Sequence, residues 1–185
     1  LFSQAVATTA SCSASRSVVL TGLHNHANGQ YGHQHAFHGF ESWLKVRGLP
    51  ILLEERGYRT AQIGKLHVAP QEVYRFQEYL KGDPRQTVGM AENCEDFISS
   101  EDDRPFFLYF ATSDPHRGGG VDRASPYKPD LFGNLQRGRS RPGHERVNYP
   151  LEDVIVPPFL SDTPETRAEL SHYYTSISRI DQGVG

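Results

Sequence analysis

The sequence predicts an α/β domain with a mostly parallel sheet and helices on both faces. Three observations carry this. Pro105–Ala111 (PFFLYFA) is a continuous apolar run, as a strand covered on both sides requires. Thr60–Gly64 (TAQIG) is a second, shorter candidate for a buried strand. Segments of helical length, with helix-ending residues, separate these strands along the chain.

Taken in order, Leu1–Ala7 is short, apolar and tolerant of extended backbone. Ser13–Thr21 has helical length and is closed by Gly22, a good residue just past a helix end. Leu23–Gly39 reads as a loop and holds five of the nine histidines. Leu49–Gly57 is a helix with Pro50 near its start and Gly57 at its end. Met90–Ser100 is a helix with Ala91, Cys94, Phe97 and Ile98 on one face. Pro164–Gln182 is a helix capped by Thr163, with Leu170, Tyr173, Tyr174, Ile177 and Ile180 as its apolar face. Arg117–Pro150 is a long Gly/Pro/Arg-rich loop with no sustained period. Between Arg117 and Arg146 it carries seven Lys/Arg against three Asp/Glu. It is either a solvated insertion or a rim that attracts an anionic substrate.

Composition removes several classes. The 185 residues carry 19 Lys+Arg and 22 Asp+Glu, a net charge of −3, which argues against a general nucleic-acid binder. No apolar run approaches the roughly 20 residues of a membrane span. Cys12 and Cys94 cannot build a disulfide scaffold, and ten Phe with nine Tyr argue against disorder. A domain of this length buries about 70% of its unfolded surface, enough for a core. With no initiator Met and no signal peptide, the chain reads as a piece of something larger, and its compartment is not legible.

Three clusters could carry chemistry. In Cys12-Ser13-Ala14-Ser15-Arg16, a helix starting just after Cys12 puts the sulfur at a helix N-terminus, where free N–H groups favour an anion. Arg16 falls one turn later on the same face. The bland alternative is a structural Cys with a surface Arg. Gly64-Lys65-Leu66-His67 follows a strand, at the carboxyl edge where open α/β sheets bind ligands. In extended chain, Lys65 and His67 point to one side. Asp114-Pro115-His116-Arg117 follows the clearest strand, and its Asp-Pro turn lifts His116 off the sheet edge. His24, His26, His33, His35 and His38 match no zinc spacing and read as ordinary loop histidines. The acidic run Glu92, Glu95, Asp96, Glu101, Asp102 and Asp103 reads as a solvated helix face and turn.

These motifs resemble the sulfatases. Cys12 through Arg16, with Leu20-Thr21-Gly22 behind, is similar to a Cys-x-Pro-Ser-Arg segment ending in Leu-Thr-Gly. Gly64-Lys65 with His67, and Asp114-Pro115-His116, resemble two further sulfatase motifs in the right order. Asn28–Gly32, Lys45–Pro50, Asp102–Tyr109, Asp114–Arg117 and Asp181–Gly185 look like the sulfamidases, or N-sulfoglucosamine sulfohydrolases. The likeness runs from about Cys12 to Gly185.

The resemblance implies an alkaline-phosphatase-like α/β fold, with residues 1–185 part of a single sulfatase catalytic domain. It implies that Cys12 is oxidised to formylglycine, whose hydrated form puts two oxygens on one carbon. One oxygen, held on Ca²⁺, attacks sulfur; the other loses its proton and ejects sulfate. Arg16 then holds the diol, Lys65 bridges diol and sulfate, and His67 assists deprotonation. His116 contacts the sulfate and protonates the leaving group, and Lys65, His116 and Arg117 contact substrate. Cys12, as formylglycine, is itself a metal ligand. The other metal carboxylates, an Asp pair before Cys12 and an Asp-Asn pair after Gly185, lie outside this sequence, so the piece alone should turn over little. Implied partners are a sulfated sugar, with N-sulfoglucosamine of heparan-type chains first, and a formylglycine-generating enzyme; a homodimer is compatible. Family likeness implies a periplasmic, secreted or lysosomal setting. The family usually has Pro where this chain has Ala14, a position tied to recognition by the maturation enzyme. Other readings remain: an O-sulfated carbohydrate sulfatase, a phosphonate or phosphodiester hydrolase, a non-catalytic sulfated-glycan binder, or a thiol hydrolase pairing Cys12 with His67.

Overall fold

A computed structural model describes residues 4–35, 37–136 and 138–185. They form two compact units, Leu1–Leu80 with Phe97–Phe110, and Lys81–Asp96 with Ala111–Gly185. Residues 1–3 of the apolar opening segment lie outside the described residues; Gln4–Ala7 is neither helix nor strand.

In the first unit, α1 (Cys12–Thr21) starts after Ser11, whose backbone is extended, and ends at Gly22 in left-handed conformation (φ 68°). The Gly22 N–H closes the helix on the Val18 carbonyl at 2.8 Å, and only glycine takes that φ without strain. The helix buries Ser13, Ala14, Ser17 and Leu20. The buried hydroxyl of Ser17 donates to the Ala14 carbonyl (2.7 Å) and accepts from Asn28 Nδ2 (3.0 Å). The loop that follows contains a single turn of helix, α2 (Asn25–Asn28), and is tied down by amides. Gln30 Nε2 donates to the Gly32 and Phe40 carbonyls, and Asn28 Oδ1 accepts from the Gln30 N–H. Buried loop backbone needs such partners.

α3 (Leu49–Glu54) has Pro50 in its first turn and stops three residues before Gly57, shorter than the sequence predicts. It packs on β1 (Arg59–Gly64), the middle strand of a three-stranded sheet. α4 (Gln71–Tyr74) leads to β2 (Glu78–Leu80), which runs parallel to β1 with Ala61 opposite Glu78. β3 (Phe106–Ala111) lies on the other side of β1. β1 is buried almost throughout, whereas β3 is an edge strand with Phe106 41% exposed. The apolar run located this strand but overstated its cover. Leu20, Val46, Val68, Val73, Tyr74 and Phe76 form the core, with Leu66, Phe107 and Tyr109 packed against it. Phe76 stacks near the rings of both Phe107 and Tyr109 at about 6 Å. A fully buried ring such as Phe76 contributes roughly 1.5–3 kcal/mol.

The predicted helix over Met90–Ser100 is two short ones, α5 (Thr87–Glu92) and α6 (Glu95–Ile98). Asn93 sits at the break, its side-chain amide donating to the Lys81 carbonyl. In the second unit, α7 (Pro164–Val184) begins where expected, with Thr163 Oγ1 accepting from the Thr166 N–H. Its buried face is not the predicted one. Ala168, His172, Thr175, Ser176, Arg179 and Gly183 are buried, while Ile177 is 40% exposed. The helix packs on α5 through polar atoms: Thr87 Oγ1 donates to the Arg179 carbonyl at 2.5 Å. At Gly183 a Cβ would come within 2.6 Å of the Thr87 backbone.

The Gly/Pro/Arg-rich loop at 117–150 uses several of its cations internally. Arg117 pairs with Glu169 at 3.0 Å, Arg141 donates to the Gly133 carbonyl, and Arg146 to the Leu135 carbonyl. These are anchors for a loop with little regular structure; Arg123, Lys128 and Arg139 remain exposed, and Arg137 lies outside the described residues. No helix among the described residues is long and apolar enough to cross a membrane.

Candidate active site

The structure brings Cys12, Arg16, Lys65 and His67 together in the first unit. Cys12 is the first residue of α1 and is partly exposed, so its sulfur lies beside first-turn N–H groups that have no partner within the helix. Arg16, one turn on, donates from one guanidinium nitrogen to the Lys65 carbonyl (2.6 Å) and the Tyr109 hydroxyl (3.0 Å). Arg16 thereby ties the start of α1 to the end of β1 and to β3. Tyr109 has no motif to announce it; it is one ring in an apolar strand.

β1 ends at Gly64 (φ 84°), and the chain then leaves the sheet. His67 has φ 56°, uncommon for a residue with a side chain. The expectation that extended backbone sets Lys65 and His67 on one side therefore does not hold. Instead the bend carries the His67 ring to Cys12, with Nδ1 3.1 Å from the sulfur. Partial burial, then the charges of Lys65, His35, His33 and Arg16, hold His67 down to about 4. It is a neutral imidazole at neutral pH.

The loop histidines are closer to the chemistry than their spacing suggests. His33 Nδ1 lies 3.4 Å from the Cys12 sulfur, and His35 Nδ1 lies 2.5 Å from His67 Nε2, the rings stacked at 4.5 Å. Desolvation and the neighbouring His35, His38 and Lys65 also lower His33. Only a tertiary fold could reveal this. Among the described residues no group of three His, Cys, Asp or Glu is placed to hold a metal ion.

His116 and Arg117 belong to the second unit, on a turn opened by Asp114 and Pro115, and both are exposed. Asp114 is fully buried at its carboxylate, between Arg85 (2.8 Å) and Arg179 (2.7 Å). Burial pushes Arg179 below the ordinary arginine value, against the pull of Asp114. Sequence spacing gave no sign of either arginine partner. Cys94 is buried and its thiol is pushed up by burial, an inert core position. A cavity of about 700 Å³ in the second unit is lined by Asp122, Tyr127, Arg146, Tyr149, Ser171 and His172. Its polar groups are turned on one another: His172 Nε2 meets Asp122 Oδ2 at 3.2 Å, and Ser171 donates to the Tyr149 carbonyl.

A family model described as Sulfatase matches residues 1–185. The chain belongs to the sulfatase family. It is 42% identical over 193 residues to human N-sulphoglucosamine sulphohydrolase, covering 100% of this chain and 38% of that relative. The chain thus spans well under half the length of that relative. A solved structure from work on the metabolism of multiple glycosaminoglycans by Bacteroides thetaiotaomicron superposes with a TM-score of 0.70, at 14% identity over 99% of this chain and 46% of its own. The crystal structure of Ps i-CgsB with a neocarrahexaose gives 0.52, at 18% identity over 94% of this chain and 42% of its own. These two likenesses establish the fold of the sulfatase chain: the alkaline-phosphatase-like α/β architecture with a parallel sheet. Sulfatases in general use formylglycine and Ca²⁺. The first demand fits here, since Cys12 is a partly exposed thiol at a helix start. The second does not fit these residues alone: Cys12 is ringed by imidazoles and cations, whereas Ca²⁺ takes an oxygen shell.

Proposed function

We propose that the protein carrying this chain is a formylglycine sulfatase that removes sulfate from the nitrogen of N-sulfoglucosamine in heparan-type sugars. The observation that carries the reading is the meeting of Cys12, at the start of α1, with the neutral imidazole of His67. Supporting it are the family match and the 42% identity to the human sulphohydrolase.

In this reading residues 1–185 are part of one catalytic domain. Formylglycine made from Cys12 supplies, when hydrated, two oxygens on one carbon, one to attack sulfur and one to release sulfate. His67, neutral and 3.1 Å from that position, accepts the proton whose loss drives release. Arg16 and Lys65 stabilise charge spread over the sulfuryl oxygens, and the first-turn N–H groups of α1 add to it. His116 supplies a proton to the leaving nitrogen, and Arg117 is a further substrate contact. An amide anion is a very poor leaving group, so this proton matters more for an N–S than for an O–S bond. Further partners in this reading are the enzyme that converts Cys12 and, compatibly, a second copy of the protein.

The test is the mass of the Cys12 peptide from the full-length protein, paired with turnover of N-sulfoglucosamine against O-sulfated sugars and phosphodiesters. Replacement of the thiol by an aldehyde, with preference for the N-sulfated sugar, is the expected result. An untouched thiol in an active preparation overturns the mechanism; preference for another ester overturns the substrate. The 3.1 Å contact between Cys12 and His67 also favours a second reading, a thiol nucleophile paired with imidazole. Activity that survives until an alkylating agent reaches Cys12 is its signature.

A further inference from the structure

Arg85, a side chain that no motif includes, makes three of the contacts that hold the turn carrying His116. Arg85 NH1 donates to Asp114 Oδ1 at 2.8 Å, and Arg85 NH2 donates to the carbonyls of His116 (3.1 Å) and Arg117 (3.2 Å). The residue before it, Pro84, accepts from the Ser113 N–H at 2.7 Å, so the segment 84–85 clasps both ends of the turn. The other Asp114 oxygen is taken by Arg179, which also donates to the Phe132 carbonyl (3.0 Å) and to Asn134. Gly133 leaves room for the Arg85 guanidinium; a Cβ there would run into it.

The Arg117 carbonyl has a second donor. His116 Nδ1 lies 2.8 Å from it. A carbonyl only accepts, so Nδ1 carries a proton in the charged and the neutral ring alike, and the proton that a charged His116 gives up is the one on Nε2. One carbonyl oxygen, placed by Arg85, thus fixes which nitrogen of His116 does chemistry.

We propose that Arg85 is a positioning residue for His116: through the Asp114 carboxylate and the Arg117 carbonyl it holds a proton on Nδ1, so that Nε2 is the nitrogen that gives its proton to the substrate and the neutral ring left behind is the Nδ1–H tautomer. The proposal rests on the role given to His116 above. Arg85 touches no substrate. It sets the tautomer and direction of the ring, as carbonyls and carboxylates behind functional imidazoles do.

The experiment has two arms, both on the full-length protein, with thermal melts confirming that each variant folds. In the first, ¹⁵N–¹H spectra of His116 report its tautomer in wild type, Arg85→Ala and Arg85→Lys. In the neutral ring wild type should show Nδ1–H alone; both variants should show a mixture, because neither side chain spreads two nitrogens over the carboxylate and the two carbonyls as the guanidinium does. An unchanged Nδ1–H tautomer in both overturns the proposal. In the second, N-sulfoglucosamine turnover is measured for Arg85→Ala, His116→Ala and the double variant. Arg85→Ala should lower kcat about 10- to 100-fold, part of what a general acid contributes, with KM changed less than about threefold. In the His116→Ala background it should cost nothing further, and guanidinium ion should restore part of kcat to Arg85→Ala alone. Equal losses in both backgrounds, the mark of a merely structural role, overturn it. If His116→Ala leaves turnover unchanged, the role of His116 falls, while the spectra still decide what Arg85 does to the ring.

Discussion

The Cys12 sulfur and the Nδ1 of His67 lie 3.1 Å apart, across 55 residues of sequence. One sits at the start of a helix and the other just beyond the end of a strand, the two places where an α/β fold offers free donors and open edges. The contact joins a thiol at a helix start to an imidazole that is neutral at neutral pH.

Replacing Cys12 separates attack from release. Cys12→Ala should stay folded, since the side chain is only partly buried, and lose all turnover. Cys12→Ser offers one oxygen where the hydrated aldehyde offers two. It should accept a sulfuryl group once and fail to shed it, visible as a stable mass gain of one SO₃ on the α1 peptide after incubation with substrate.

Arg16→Ala should lower kcat/KM by about 10²–10³, the usual loss when a preorganised charge donor is removed. Arg16→Lys should recover little, because a flexible, strongly hydrated ammonium replaces the rigid guanidinium whose one nitrogen reaches both the Lys65 carbonyl and the Tyr109 hydroxyl. Steady-state kinetics on the two variants check this.

Asp114→Ala removes the shared partner of Arg85 and Arg179, and leaves the Arg179 guanidinium buried against fewer acceptors. Breaking a buried pair from one side costs about 3–5 kcal/mol. Chemical denaturation should show the loss, together with a lowered midpoint.

Gly183→Ala places a methyl where the Thr87 backbone and side chain already stand. Backbone cannot rotate away as a flexible side chain can, so α5 and α7 must separate. A cost of about 1–3 kcal/mol is expected, read as a lower melting temperature.

Acid stability carries a signature of Asp102. Its carboxylate accepts from Arg104 through both oxygens (3.0 and 2.6 Å), which holds it down to about 2 from an ordinary 3.8. The folded value lies below the unfolded one, so the unfolded chain binds more protons between them. The contribution is therefore full above the ordinary value and is lost as pH falls toward about 2. Arg104→Ala should flatten that part of a denaturation series run from about pH 5 to 2.

Much of this was legible in the residues. Gly22 marked the end of α1, the apolar run marked β3, and Thr163 with Pro164 marked the start of α7. The motif residues Cys12, Arg16, Lys65 and His67 meet in one unit, and His116 stands on an exposed turn as the Asp-Pro signal implied. What stayed hidden has a common cause. The buried face of α7 is polar because Arg179 spends its charge on Asp114, and a hydrophobicity pattern cannot see a neutralised cation. Arg85 lies 29 residues from Asp114 and belongs to no period. His33 and His35 come to Cys12 and His67 through a loop whose path is set by the amides of Asn28 and Gln30, not by spacing.

The left-handed bend at position 67 narrows the choice of replacements there. Asparagine and glycine tolerate that backbone; valine or isoleucine would twist the exit from β1 and displace Lys65 along with the ring. An experimenter who wants to delete the imidazole alone should choose His67→Asn, because a branched substitute would report on a rerouted chain.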